Sequence, residues 1–198
     1  MTHEQDHENS AMISNRVKTL VATLEEWAIL TEADLDETVE KFLLNSKPAN
    51  AFRMVARAWV DPAFKARLLA DGSAAAEELG IDLSHWAPVR LRAVENADEV
   101  HNVIVCTLCS CYPIALLGPS PKWYKSEAYR SKVVRDPRGV LEEFGVTLPP
   151  QKKITVWDST AEVRYMVVPQ RPADTQHASE EELAAMLTRN ALIGTALL

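Results

Sequence analysis

The chain has 198 residues, of which 47% are hydrophobic and 25% charged, and its 21 basic and 28 acidic side chains give a net charge of −7. That length can build one sizeable core. The acidic balance argues against a nucleic-acid surface, and no apolar run is long enough to cross a membrane, so neither is expected as a partner.

MTHEQDHENS is polar and does not read as an export signal. Residues 1–12 are therefore expected to be a disordered N-terminus, and the chain to be cytoplasmic. VKTLVATLEEWAIL (17–30) and ADLDETVEKFLL (33–44) carry apolar residues at helical spacing, with Leu35, Val39, Phe42 and Leu43 on one stripe. NAFRMVARAWV (50–60) continues the helical pattern, and Asp61-Pro62 reads as cap and first position of the next helix. Ser73 reads as the cap of AAAEEL, which Gly80 ends. Residues 13–82 are thus expected to form a helical arm and helical region, whose first two stripes have no nearby sheet to cover them.

The period then changes. VRLRAVE (89–95) alternates as a strand, and HNVIV (101–105) is a short apolar strand. Ser120-Pro121 and Asp136-Pro137 read as helix starts, with Gly145 as a stop. KITVWDS (153–159) and EVRYMVV (162–168) read as a β-hairpin about Thr160-Ala161. Ser179 with Glu182 makes a capping box for the last clear helix. The fold class is α+β, with residues 83–198 forming the domain that presents the loop after HNVIV.

That loop, VCTLCSCYP (105–113), holds all three cysteines of the chain: Cys106, Cys109 and Cys111. An odd count in one place does not make a disulfide framework. Thiols serving only as small hydrophobes would be scattered over the core. A redox dithiol at CTLC leaves Cys111 unexplained. A metal site accounts for all three, because clustered thiolates are strong, soft ligands.

The chain lacks the second cysteine pair of a common zinc site, and the strand alternation turns His101, expected at a strand end or surface, away from Cys106. Two cysteines one residue apart suit a planar set of sulfur, nitrogen, nitrogen and sulfur. The nitrogens would be the main-chain amides of Ser110 and Cys111, with Cys106 axial and a sixth position open. Such weakly acidic amides need a strongly polarising, trivalent, low-spin cobalt or iron ion. Geometry permits this arrangement without requiring it.

VCTLCSCYP, followed by LLG and WYKS, resembles the metal-binding signature of nitrile hydratase alpha subunits and of the related thiocyanate hydrolase gamma subunits. The blocks 55–72, 123–145, 161–173 and 180–194 resemble the same families in order. The resemblance implies a helical arm followed by a layered α-β-β-α metal-binding domain, with the arm embracing a beta-type subunit, or two split beta-like subunits. It implies one low-spin Co(III) per chain held by Cys106, Cys109, Ser110 and Cys111. Thr107 matches the cobalt type, and Fe(III) is the alternative. Cys109 would be a sulfinate and Cys111 a sulfenate.

The implied reaction is hydration of a small-molecule nitrile to its amide, a lyase activity. Cys111 would supply the oxygen nucleophile or base, with water activated at the ion as its rival, while Ser110 and Cys109 complete the catalytic set. Asp158, Glu162 and Arg164 fall where the family keeps a polar network behind the loop. Tyr112 and Ile114 are candidate pocket residues. Ile114 replaces a common family tryptophan, and Ala87 a glutamine of the iron enzymes, which directs us to a larger nitrile, aromatic or nucleoside-like. A thiocyanate hydrolase subunit, a non-catalytic metal-binding subunit and a redox dithiol protein are the rival readings.

Overall fold

The computed structural model describes residues 3–83, 89–109 and 111–198. Ser110 and Ala87 lie outside the described residues. Contacts divide the chain into two compact units, Met1–Asn45 and Ser46–Leu198.

The first unit is a helix pair, α1 (His3–Glu26) and α2 (Glu32–Asn45). α1 takes in positions 3–12, which polarity alone marked as disordered; glutamate, glutamine and alanine are good helix formers. Ala28, at φ 52°, turns the chain between the helices. Asp34 accepts from the backbone and hydroxyl of Thr31 at 2.7 and 2.8 Å, closing the first turn of α2. These hydrogen bonds hold the Asp34 carboxyl below the usual carboxylate range.

The second unit begins with α3 (Pro48–Val60), α4 (Pro62–Ala70) and α5 (Gly72–Glu78). These three helices belong with the sheets, so the division falls near residue 45, not at the expected 82/83 boundary. The reason is packing: α4 and α5 lie against strand β1 (Arg90–Glu95), and α3 against α9 (Glu180–Met186). Asp61 caps α4 as expected, accepting from Phe64 N at 2.9 Å. Asp71, not Ser73, caps α5, accepting from Ser73 N and Ala74 N. The Ser73 hydroxyl instead accepts from Leu91 N at 2.9 Å, tying the helix to β1.

The expected hairpin does not form. β3 (Lys153–Asp158) pairs in parallel with β2 (Val100–Val105), and β4 (Val163–Val168) pairs in parallel with β1. Thr160-Ala161 supplies neither of the positive-φ residues that a tight hairpin turn needs. Ser159 N donates to Val105 O and Thr160 N to Val163 O, so the linker carries the chain from one sheet to the other. Parallel pairing needs long crossovers. Between β2 and β3 these are α6 (Ile114–Leu117), a 3₁₀ turn (Lys122–Lys125), α7 (Glu127–Val133) and α8 (Pro137–Glu143).

α9 carries the expected capping box between Ser179 and Glu182. α10 (Arg189–Ile193) then packs on β4. The result is an α+β architecture of two small parallel sheets with helices packed on them. The core centres on Val103, Ile104, Val105, Met166, Val167 and Val168, all buried. β2 and β3 end side by side, which places the loop after Val105 next to Asp158.

Candidate metal centre

The three cysteines converge. Their sulfur atoms all lie within 4.8 Å of one another. Cys109 Sγ is 3.2 Å from Cys106 Sγ and 3.0 Å from Cys111 Sγ. Cys106 is buried, Cys111 half-buried and Cys109 exposed, so the cluster opens outward from the end of β2. Cys109 N also donates to Cys106 Sγ at 3.3 Å.

These spacings test the fit to a metal. Sulfurs at right angles on one ion, with bonds of about 2.3 Å, lie about 3.2 Å apart; in a tetrahedron they lie about 3.8 Å apart. The Cys106–Cys109 and Cys109–Cys111 distances lie near the right-angled value. Among the described residues no histidine or carboxylate joins the cluster. Burial and the neighbouring thiol push the Cys111 thiol up to about 12, with the Arg164 charge opposing. A strongly polarising cation would expel that proton and take the thiolate as a ligand. The three thiols therefore fit a soft-leaning metal ion, and the described residues do not supply the fourth side-chain ligand of a closed zinc site.

The loop is held by several side chains. Asp158 accepts from Thr107 N at 2.9 Å and from the Thr107 hydroxyl. Arg130 Nη1 in turn donates to Thr107 O at 3.2 Å and Cys109 O at 3.3 Å. Tyr124 OH donates to Cys111 O at 2.9 Å, and Tyr129 OH to Ile104 O at 2.7 Å. Tyr124 and Tyr129 are buried in a cluster of edge-to-face rings with Tyr112, Trp123 and Phe144. Burial raises both phenols well above their usual range, so they stay protonated donors.

Of the expected polar network, Asp158 meets the loop directly. Glu162 instead accepts from the Thr160 hydroxyl at 3.0 Å. Arg164 Nη1 donates to Thr160 O, Ala161 O and Val163 O. Both therefore brace the inter-sheet linker, and Arg164 reaches Cys111 through its charge. Tyr112 and Ile114 line one apolar cavity of about 100 Å³ with Leu83, Leu91, Leu116 and Arg164. The Tyr112 hydroxyl is buried there without a hydrogen-bond partner.

His101 is neither at the surface nor near the cluster. It is buried between Asn96 and Gly194 O. Sequence reasoning missed Tyr124 and Arg130, which sit in the mixed polar segment WYKSEAYR, where spacing gives no signal of a contact with the loop.

The family model "Nitrile hydratase, alpha chain" matches residues 11–196. The cobalt-containing nitrile hydratase subunit alpha of Pseudonocardia thermophila is 50% identical over 192 residues, 96% of this chain and 93% of that one. The thiocyanate hydrolase subunit gamma of Thiobacillus thioparus is 37% identical over 200 residues, 90% of this chain and 82% of that one. Among solved structures, a double mutant of the Fe-type nitrile hydratase from Comamonas testosteroni Ni1 superposes with a TM-score of 0.88 at 41% identity, covering 95% of this chain and 91% of its own. Matched from end to end around a three-thiol cluster, the chain belongs to the nitrile hydratase alpha-chain family.

Proposed function

We propose that the chain is the alpha subunit of a cobalt-type nitrile hydratase, a hydro-lyase converting a nitrile to its amide with a beta-type partner. The observation that carries this reading is the close cluster of the Cys106, Cys109 and Cys111 sulfurs in a chain 50% identical to a cobalt-containing alpha subunit. Cys106, Cys109 and Cys111, with the amide nitrogens of Ser110 and Cys111, would hold one low-spin Co(III) per chain. That ion supplies Lewis acidity toward the nitrile nitrogen.

The remaining work falls to the chain. Cys111, oxygenated to a sulfenate, presents an oxygen as nucleophile or base toward the nitrile carbon. Cys109, as a sulfinate, is a weaker donor than a thiolate. The Ser110 hydroxyl positions water or an oxidised sulfur. Asp158 fixes Thr107, while Glu162 and Arg164 hold the linker behind it. Ile114 stands where an indole is common in the family, and the bulk lost there supports a larger nitrile; the apolar cavity of about 100 Å³ beside it would form part of such a pocket. The site of action is the cytoplasm, in a heteromer with one beta-type chain or two split ones.

The purified complex tests this. About one cobalt per chain is expected from the ligand set. Intact mass should show about three added oxygens, one sulfinate and one sulfenate. Nitrile should turn over in preference to thiocyanate. Zinc with three unmodified thiols would refute the cobalt assignment, and thiocyanate turnover alone would move the chain to the hydrolase branch.

A further inference from the structure

The backbone of the metal loop is gripped from one segment. Tyr124 in the 3₁₀ turn and Arg130 in α7 together hold the carbonyls of Thr107, Cys109 and Cys111. These carbonyls alternate along the loop, which is thereby held at three points.

The Cys109 carbonyl has a further consequence. By covalent connectivity it is one end of the amide whose other end is the Ser110 nitrogen. A peptide unit is planar and conjugated. When that nitrogen serves as an anionic donor to an ion, resonance spreads its negative charge onto the Cys109 oxygen. Arg130 Nη1 lies 3.3 Å from that oxygen. A guanidinium is a permanent cation, and hydrogen bonds from it to an anionic oxygen are stronger than neutral ones. Arg130 Nε, moreover, is buried and without a hydrogen-bond partner. Buried donors are ordinarily satisfied by the fold. Part of the guanidinium's donor capacity is therefore left unused by the fold's own hydrogen bonding.

Building on the cobalt reading above, we propose that Arg130 is a positioning residue of the metal centre. It fixes the loop through the Thr107 and Cys109 carbonyls and stabilises negative charge on the Cys109–Ser110 amide when that amide holds the ion. The chain thereby brings its own cation to the loop backbone, separate from any charge a partner brings.

The test uses the full chain produced with its beta-type partner, as wild type, Arg130→Met, Arg130→Gln and Arg130→Lys. Cobalt per chain, the sulfur-to-cobalt charge-transfer absorption and the far-UV melting temperature are measured. Removing an outer partner of a metal ligand typically costs tenfold or more in affinity, so the neutral variants should lose at least about threefold in cobalt per chain. Their residual cobalt should absorb at a displaced wavelength, in chains that still melt near the wild-type temperature. Arg130→Lys, which restores the charge, should recover at least about half of the wild-type loading with a near-native band. If Arg130→Met does not fold, Arg130→Gln carries the comparison. Wild-type loading and absorption in Arg130→Gln would overturn the proposal, as would Arg130→Lys performing no better than Arg130→Gln. A wild-type complex containing no cobalt would instead overturn the cobalt reading itself.

Discussion

His101 lies in β2 and is 1% exposed, although its place in HNVIV read as a strand end or surface. Its tautomer follows from its neighbours. Asn96 Oδ1 accepts from Asn102 N and Asn102 Nδ2, so Asn96 Nδ2 faces His101 Nδ1 as a donor. His101 Nδ1 must therefore accept, and Nε2 donates to Gly194 O at 2.7 Å. A second proton would set two donors against each other. Burial lowers the His101 pKa, and the Lys152 charge adds to this, while the bond to Gly194 O opposes it. Since the unfolded chain titrates near about 6.5, it binds more protons than the fold below that pH. The His101 contribution is thus fully present above about 6.5 and declines as pH falls toward the lower folded value. Melting temperature should drop between neutral and mildly acidic pH, and His101→Gln, which keeps a donor for Gly194 O, should flatten that drop. An unchanged pH slope in the variant would exclude His101 as the titrating group.

Among the elements, α10 shows how closely the helices approach the sheets. Gly194 ends the helix at φ +89°, and a Cβ there would lie 1.9 Å from Asn102 O. Both the conformation and the contact demand glycine. Gly194→Ala should destabilise the chain by about 3 kcal/mol or more, lowering the melting temperature by roughly 10 °C. A loss under about 1 kcal/mol would show that β2 can shift to accommodate a methyl group. Helix limits such as Asp61-Pro62, Asp136-Pro137 and the Ser179–Glu182 box were readable in advance because caps act within one turn. Strand partners were not. KITVWD and VRYMVV have the same alternating pattern as a hairpin, and only the parallel registers with β2 and β1 show which sheet each joins.

For the whole molecule, the helix pair α1–α2 leaves Met12, Ile13, Val17, Leu20 and Trp27 largely exposed, Trp27 at 67%. Exposed apolar side chains grouped in this way commonly mark a protein interface, and under the proposed function its occupant would be the beta-type partner. The complex should therefore exceed the isolated chain in turnover per cobalt by at least about tenfold, or about 1.4 kcal/mol of transition-state stabilisation. Leu20→Ser with Trp27→Ser should weaken co-purification of the two subunits. Equal turnover per cobalt for the chain alone and in the complex would place the full catalytic apparatus within this subunit.

The candidate metal ligands were legible because they are local: Cys106, Cys109 and Cys111 lie within one loop, and their spacing constrains geometry without any knowledge of the fold. Helical stripes and caps were legible for the same reason. What holds the loop comes from far along the chain: Asp158 from the end of β3, and Arg130 and Tyr124 from the crossover between β2 and β3. Their roles follow from parallel pairing, which brings the ends of β2 and β3 together and folds the crossover beneath the cysteines. The sequence by itself therefore determined which sulfur atoms stand together as candidate ligands. Only the tertiary structure decided which charges and hydrogen bonds surround them, because those contacts depend on strand partners that alternation alone leaves open.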